Sequence, residues 1–211
     1  ASPMAEMAKK SRFDWREHGV VTPVKNQGNC GSCTLFALAG VLESSIAMRT
    51  GNTVDLSEQR MINCTLHNIC KFGSKMGSRA RYLYNKGTLA EALKPYSASK
   101  GRCDRGKQGQ YYVGAYGYVR HGLFDTPSVA EVKDALVLRG PVVTNIWVDD
   151  EFQAYGSGVY SAKKNYLFTN HAVVIVGWDD QKGAWIIRNS WGSGWGSSCD
   201  FGTTGGYIYM K

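Results

Sequence analysis

Between Cys33 and Gly51 the chain carries Leu35, Phe36, Ala37, Leu38, Ala39, Val41, Leu42, Ile46 and Ala47 with no proline among them, which predicts a long buried helix. Around it the first half reads as helix and loop. Ser57, ahead of Glu58 and Gln59, is an N-cap for a second helix running to about Cys64, and a third helix, roughly Ser78 to Asn85, stops at Gly87. Residues 65–78 and 88–117 read as loops. The second half changes period. After a short helix at about Val129 to Leu138, the segments Pro141 to Val148, His171 to Trp178, Ala184 to Asn189 and Gly206 to Met210 are rich in β-branched and aromatic residues and predict an antiparallel sheet. The fold class is α+β.

Cys33 falls in the first turn of the long helix. Unpaired N–H groups and the positive end of the helix dipole favour thiolate there, which makes Cys33 a candidate nucleophile. On the local sequence alone, Cys30-Gly31-Ser32-Cys33 also fits a buried small hydrophobe, half a zinc site or a redox pair. The six cysteines, at 30, 33, 64, 70, 103 and 199, lack the second ligand pair of a four-ligand zinc site, so no metal is expected and disulfides are the default. If Cys33 stays free, an odd number remains and at least one more is unpaired in the chain. Cys199 is the outlier. Disulfides imply an oxidising compartment.

Net charge is +8, with Lys71, Lys75, Arg79, Arg81 and Lys86, and then Lys94, Lys100, Arg102, Arg105 and Lys107, scattered as on a solvated face. No nucleic-acid motif accompanies them, so no nucleic-acid partner is expected. No apolar run approaches the 18 residues or so of a membrane span, and no membrane partner is expected. The opening residues lack the apolar core of a signal peptide, which fits a processed mature form.

The chemistry comes from the far half. The turn signal Asp179-Asp180-Gln181-Lys182-Gly183 separates two strands, and a loop of three or five residues would pair positions whose numbers sum to 360. His171 would then face Asn189. A thiolate attacking a carbonyl needs donors for the oxyanion and a proton for the leaving amine. Cys33 supplies the sulfur and its own N–H, Gln27 a side-chain amide, and His171 the proton, with Asn189 orienting the ring.

These four residues lie in four of six motifs that follow in order along the chain. They are Phe13-Asp14-Trp15-Arg16, the stretch Val21 to Gly28, Cys30-Gly31-Ser32-Cys33, Leu56-Ser57-Glu58-Gln59, Asn170-His171-Ala172-Val173 and Asn189-Ser190-Trp191-Gly192. From about Phe13 to Lys211 the chain resembles the papain and cathepsin L family of cysteine peptidases; a C-G-[SA]-C-[WY] signature with His and Asn far downstream is its known mark. The resemblance implies one peptidase unit over residues 1–211 with two lobes. A helical lobe, about 16–117, carries the central buried helix, and an antiparallel β-barrel-like lobe, about 118–211, receives the N-terminal segment 1–15. The active-site cleft lies between the lobes.

By the same resemblance Cys33, His171, Asn189 and Gln27 are catalytic, and Trp191 shields the His171 to Asn189 bond. The resemblance also implies disulfides joining Cys30 to Cys70 and Cys64 to Cys103. It implies that Gly31, Gly73, Ser74, Met76, Asn145, Thr169, Asn170 and Ala172 contact substrate together with Trp191. The implied activity is an endopeptidase working through a thiolate-imidazolium pair and an acyl-enzyme, without a cofactor. Implied partners are polypeptide substrates, an inhibitory pro-segment and inhibitors of the cystatin type, bound to a monomer that is secreted or lysosomal or vacuolar. Thr34 departs from the aromatic usual after the nucleophile, Ser74 from a glycine and Asn145 from a small apolar residue; the chain stops about twenty residues short of a typical family C-terminus. Those departures define the alternative, a papain-fold binding or allergen-like protein with little catalysis. A dithiol oxidoreductase would leave Gln27, His171 and Asn189 without a role. Asn63-Cys64-Thr65 is a sequon, so Asn63 is a possible glycosylation site.

Overall fold

A computed structural model describes residues 3–120, 126–164 and 166–211. Its helices are α1 (Pro3–Ala8), α2 (Cys33–Thr50), α3 (Glu58–Asn63), α4 (Ile69–Phe72), α5 (Met76–Lys86), α6 (Val129–Arg139) and α7 (Asp150–Gln153). Its strands are β1 (Arg12–Asp14), β2 (Val142–Ile146), β3 (Val159–Tyr160), β4 (His171–Asp179), β5 (Ala184–Arg188) and β6 (Tyr207–Met210). The Ser57 hydroxyl accepts from Arg60 N at the start of α3, and Gly87, at φ 63, ends α5. Helix α6 starts with a reciprocal capping box between Ser128 and Glu131.

Helix α2 joins three apolar clusters. Its Leu35, Ala39 and Leu42 pack with Leu56, Met61, Ile62, Ile69 and Leu83 in a core drawn from the helical elements. Ala37 faces Ala172, Val174 and Val176 of β4, and Ala47 reaches the core of Phe13, Trp15, Leu136, Phe152, Trp178 and Ile208. A helix that serves three neighbours must be apolar around most of its circumference. The N-terminal segment joins the sheet side, with β1 paired to β4 and Met7 and Ala8 packed on its core; residues 1 and 2 lie outside the described residues.

The sheet is open and does not close into the barrel-like lobe expected from the sequence. β1 and β2 lie end to end along one edge of β4, the order then runs β4, β5, β6, β3, and β3 pairs with β6 in parallel, so the sheet is not wholly antiparallel either. The hairpin register differs as well. Trp178 faces Trp185, a sum of 363, because the turn has four residues, and after a bulge between Ile175 and Gly177 Val174 faces Arg188, a sum of 362. Side chains alternate faces along a strand, so an odd shift alone would send Asn189 to the face opposite His171. The bulge restores parity. Asn189 then lies two positions diagonally from direct registry with His171, on the same face.

Gly177 also permits β1 to approach. A Cβ there would sit 2.1 Å from Phe13 O and 2.9 Å from Asp14 Cα, both backbone atoms that cannot swing aside. Gly177→Ala is expected to cost about 3 kcal/mol, the upper part of the usual overpacking range, and thermal melts should fall by roughly 6–12 °C.

One buried ion cluster ties α2 to α3. Lys25 Nζ lies 3.0 Å from Glu43 Oε1, 3.0 Å from Glu58 Oε1 and 2.6 Å from Asp55 Oδ1. Glu43 and Glu58 are both buried, so one ammonium serves two desolvated carboxyls. Burial pushes the Glu58 carboxyl up to about 8, Lys25 opposing and Glu43 reinforcing. An unfolded Glu titrates near 4.3, so between that pH and about 8 the folded chain keeps a proton that the unfolded chain has released. Stability from this group is full below that window and falls as pH rises through it. Wild type is expected to lose about 5–10 °C more in melting temperature than Glu58→Gln between pH 5 and pH 8.5, on the order of a few kcal/mol.

Candidate active site

The loop before α2 is held at several points. Cys30 is bonded to Cys70, Gly31 N donates to Cys70 O at 2.9 Å, and Tyr96 Oη donates to Gln27 O at 2.7 Å. Tyr96 has thereby spent its proton, so at 2.8 Å the Ser32 hydroxyl donates to Tyr96 Oη. Ser32 occupies the N-cap of α2 without capping it by its side chain. First-turn N–H groups of a helix have no intrahelical acceptor, so the N–H of half-buried Cys33 is free to serve a ligand at the sulfur. A second disulfide joins Cys64 to Cys103.

On the opposite side, His171 begins β4 and is 7% exposed. Its Nε2 lies 2.7 Å from Asn189 Oδ1, which also accepts from Ser190 N at 2.8 Å. An atom accepting from a backbone N–H is the amide oxygen, so Nε2 carries a hydrogen and Nδ1 is the nitrogen left for proton transfer. Burial pushes the His171 pKa down, and the Asn189 bond acts against that shift. Trp191 lies over the imidazole at 4.9 Å between centroids and is itself boxed by Phe152 and Trp195 at 5.6 and 5.1 Å. His171 and Asn189 are both buried under these rings.

Gln27 is buried, and both ends of its amide are assigned. Its Oε1 accepts from Ser190 Oγ at 2.7 Å and its Nε2 donates to Cys30 O at 2.8 Å, which leaves one Nε2 hydrogen uncommitted. Main-chain bonds join the same segments: Gln27 N to Ser190 O at 2.8 Å, Gly192 N to Lys25 O at 3.0 Å, and an isolated bridge between Asn26 and Trp191. The chain leading to Cys33 is thus sewn to the chain that carries Asn189.

The residues expected to contact substrate fall into two groups. A Cβ on Gly31 would lie 3.3 Å from Gly73 N, so those glycines adjoin beside Cys33. Met76 and Ala172 share an apolar cluster with Cys33 and Val143. Asn145, Thr169 and Asn170 are exposed, with Asn145 opposite Ala172 in the register. Thr34 is buried and its hydroxyl donates to Ser74 O at 3.1 Å, tying α2 to the Gly73-Ser74 loop. Ser190 and Tyr96 were not recognised in the sequence, since neither has a role until Gln27 is located beside them. Cys199 is free and buried, and burial pushes its thiol up to about 11. Asn63 is 6% exposed and its Oδ1 accepts from Gln59 Nε2 and Gly101 N, each at 2.7 Å, so the folded chain has no room for a glycan at the sequon.

A free cysteine at a helix start, packed on the cluster that holds Ala172 next to a bonded His171-Asn189 pair, is the residue set of a cysteine protease. The family model described as papain family cysteine protease matches residues 9–210. Ananain of Ananas comosus is 38% identical over 202 residues, covering 94% of this chain and 54% of ananain. A cathepsin L-like proteinase of Fasciola hepatica is 36% identical over 210 residues, covering 96% and 60%. The bromelain protease of Ananas comosus in complex with the E64 inhibitor superposes with a TM-score of 0.81 at 32% identity, covering 95% of this chain and 89% of that one. The chain belongs to the papain family of cysteine proteases. It spans between one half and two thirds of the length of these two curated relatives.

Proposed function

We propose that this chain hydrolyses peptide bonds in polypeptides, with Cys33 as nucleophile and His171 as the proton carrier. The observation that carries the reading is the 2.7 Å bond from His171 Nε2 to an Asn189 oxygen that Ser190 N also holds, because it reserves Nδ1 for the reaction. A lone imidazolium is disfavoured by the burial of His171, so a Cys33 thiolate is the counter-charge that keeps the ring protonated. The thiolate adds to the scissile carbonyl carbon, and the oxyanion takes hydrogen bonds from Cys33 N and the free Nε2 hydrogen of Gln27. Collapse breaks the C–N bond as His171 gives its proton to the departing amine. His171 then removes a proton from water, the hydroxide attacks the thioester, and the thiolate leaves with the carboxylic acid released.

Met76 and Ala172, beside Cys33, fit a side chain on the acyl side of the bond, with Gly31, Gly73 and Ser74 along the substrate backbone. Two disulfides favour a secreted or lysosomal chain, and an inhibitory pro-segment, cystatin-type inhibitors and a monomeric state complete the reading. The weakly catalytic binding protein is not favoured, because Thr34 is hydrogen-bonded within the site wall. The test pairs a peptide ending in a fluorogenic amide with the E-64 inhibitor, which is bound in the bromelain structure. Expected are turnover under mild reduction and loss of activity with one inhibitor bound per chain. Absence of both turnover and labelling in the folded, reduced protein overturns the reading.

A further inference from the structure

The positive charge of the chain is concentrated in one stretch. Between Arg60 and Tyr118 the sequence holds eleven Lys and Arg against two carboxylates, Glu91 and Asp104, a balance of +9 in a chain whose net charge is +8. The fold gathers part of this charge on one face of the helical elements. Arg60 of α3 is 6% exposed, and its guanidinium donates to Asp104 O at 2.6 Å and to Lys107 O at 2.5 Å, which fastens the turn carrying Arg105 and Lys107 to it. Tyr82 of α5 is flanked by Arg60 and by Arg79, which stands one turn earlier on the same helix. At the far end of that helix a Cβ on Gly109 would lie 2.3 Å from Lys86 O, so the segment leaving Lys107 runs against Lys86. Arg79, Lys86, Arg105 and Lys107 are thus neighbours around the buried Arg60.

This group of cations is short of counter-charge. Asp104 is engaged by Lys94 at 3.1 Å, and among the described residues neither Arg60 nor Arg79 has a salt bridge. Arg60 Nε and Arg79 Nε are both buried without a hydrogen-bond partner among the described residues, and burial pushes the Arg79 pKa down. Like charges held together and partly desolvated destabilise a fold unless an anion joins them. One small anion cannot serve the whole face, because Arg79 and Lys86 stand about 10 Å apart along α5 and Arg105 and Lys107 lie on a different segment. An extended polyanion can neutralise each in turn while releasing its own counterions. The disulfides Cys30 to Cys70 and Cys64 to Cys103 belong to an oxidising compartment, where the extended anion at hand is sulfated polysaccharide rather than nucleic acid. We propose that the face formed by Arg79, Lys86, Arg105 and Lys107 over Arg60 binds a sulfated polysaccharide. Lys86 lies about 15 Å along α5 from Met76, which packs beside Cys33, so the face extends away from the candidate active site.

Binding is measured without turnover, so this proposal stands or falls apart from the peptidase reading. The probe is heparin, a densely sulfated polysaccharide, titrated onto the full chain at several salt concentrations. Expected is an affinity that weakens on the order of fiftyfold between about 50 and 200 mM salt, the dependence of roughly four ionic contacts on a flexible polyanion. Lys86, Arg105 and Lys107 are exposed, and Lys86→Gln/Arg105→Gln/Lys107→Gln is expected to weaken binding about tenfold or more at physiological salt and to reduce the salt dependence to roughly that of one contact. Arg79→Gln alone is expected to weaken it about threefold. Lys9→Gln/Lys10→Gln/Lys211→Gln removes the same net charge from exposed positions on the sheet side and should stay within about twofold of wild type. A wild type that does not bind heparin even at low salt would overturn the proposal, as would equal losses in the two triple variants, which would reduce binding to net charge. Tighter binding of a single-stranded polynucleotide than of heparin at the same salt would overturn it too, by giving the face to nucleic acid.

Discussion

Cys33→Ala is expected to lower kcat/KM for peptide cleavage by about 10⁴-fold or more, into the background of the fluorogenic assay. The other free thiol cannot replace it. Cys199 is buried on the sheet side with its thiol pushed up to about 11, so near neutral pH its thiolate is scarce as well as inaccessible. Iodoacetamide at pH 6 should therefore label one cysteine per folded chain, and peptide mapping should find it at Cys33. His171→Ala is expected to fall nearly as far. On the proposed mechanism Cys33 and His171 act as a unit, so the Cys33→Ala/His171→Ala double variant should be no worse than the worse single variant. A Cys33→Ala protein that keeps more than about a hundredth of wild-type turnover would remove the assigned nucleophile. A double variant much slower than either single change would mean that the two act independently.

The parts of this molecule readable from sequence are those in which local pattern and tertiary role agree. Helix α2 announces itself because a segment buried on several sides must be apolar nearly throughout, and Ser57 and Gly87 mark helix ends because caps act within a turn. The four main strand segments were recognisable by composition, whereas β1 and β3 have three and two residues and exist through pairing with β4 and β6. The hairpin register departs from the sequence count because a four-residue turn and a bulge each shift it without a clear signal in the residues. Asn189 still reaches His171, since the two shifts combine to keep it on the right face. Of the site, Cys33, His171, Asn189 and Gln27 were legible as complementary chemistry. Ser190 and Tyr96 were not, because a hydroxyl acquires a role only when a distant partner is brought beside it.

Gln27→Ala is expected to reduce kcat by about 10²- to 10³-fold with little change in KM, the mark of an interaction made in the transition state. The geometry explains why the loss is larger than that of an exposed amide. With Oε1 held by Ser190 Oγ and one Nε2 hydrogen held by Cys30 O, the remaining hydrogen is oriented before substrate arrives. A donor fixed in advance stabilises the developing oxyanion without reorganising, whereas a mobile one loses part of that stabilisation on being ordered. Ser190→Ala leaves Gln27 in place but removes one of the two bonds that hold its amide, so a smaller fall in kcat is expected, about tenfold, again with KM nearly unchanged. In the Gln27→Ala background Ser190→Ala should have little further effect, because the proposed role of the Ser190 hydroxyl is to hold Gln27. Steady-state kinetics on the four proteins of this cycle measure the coupling. Additive losses would show that Ser190 acts elsewhere, and a Gln27→Ala defect confined to KM would move Gln27 from the oxyanion to ground-state binding.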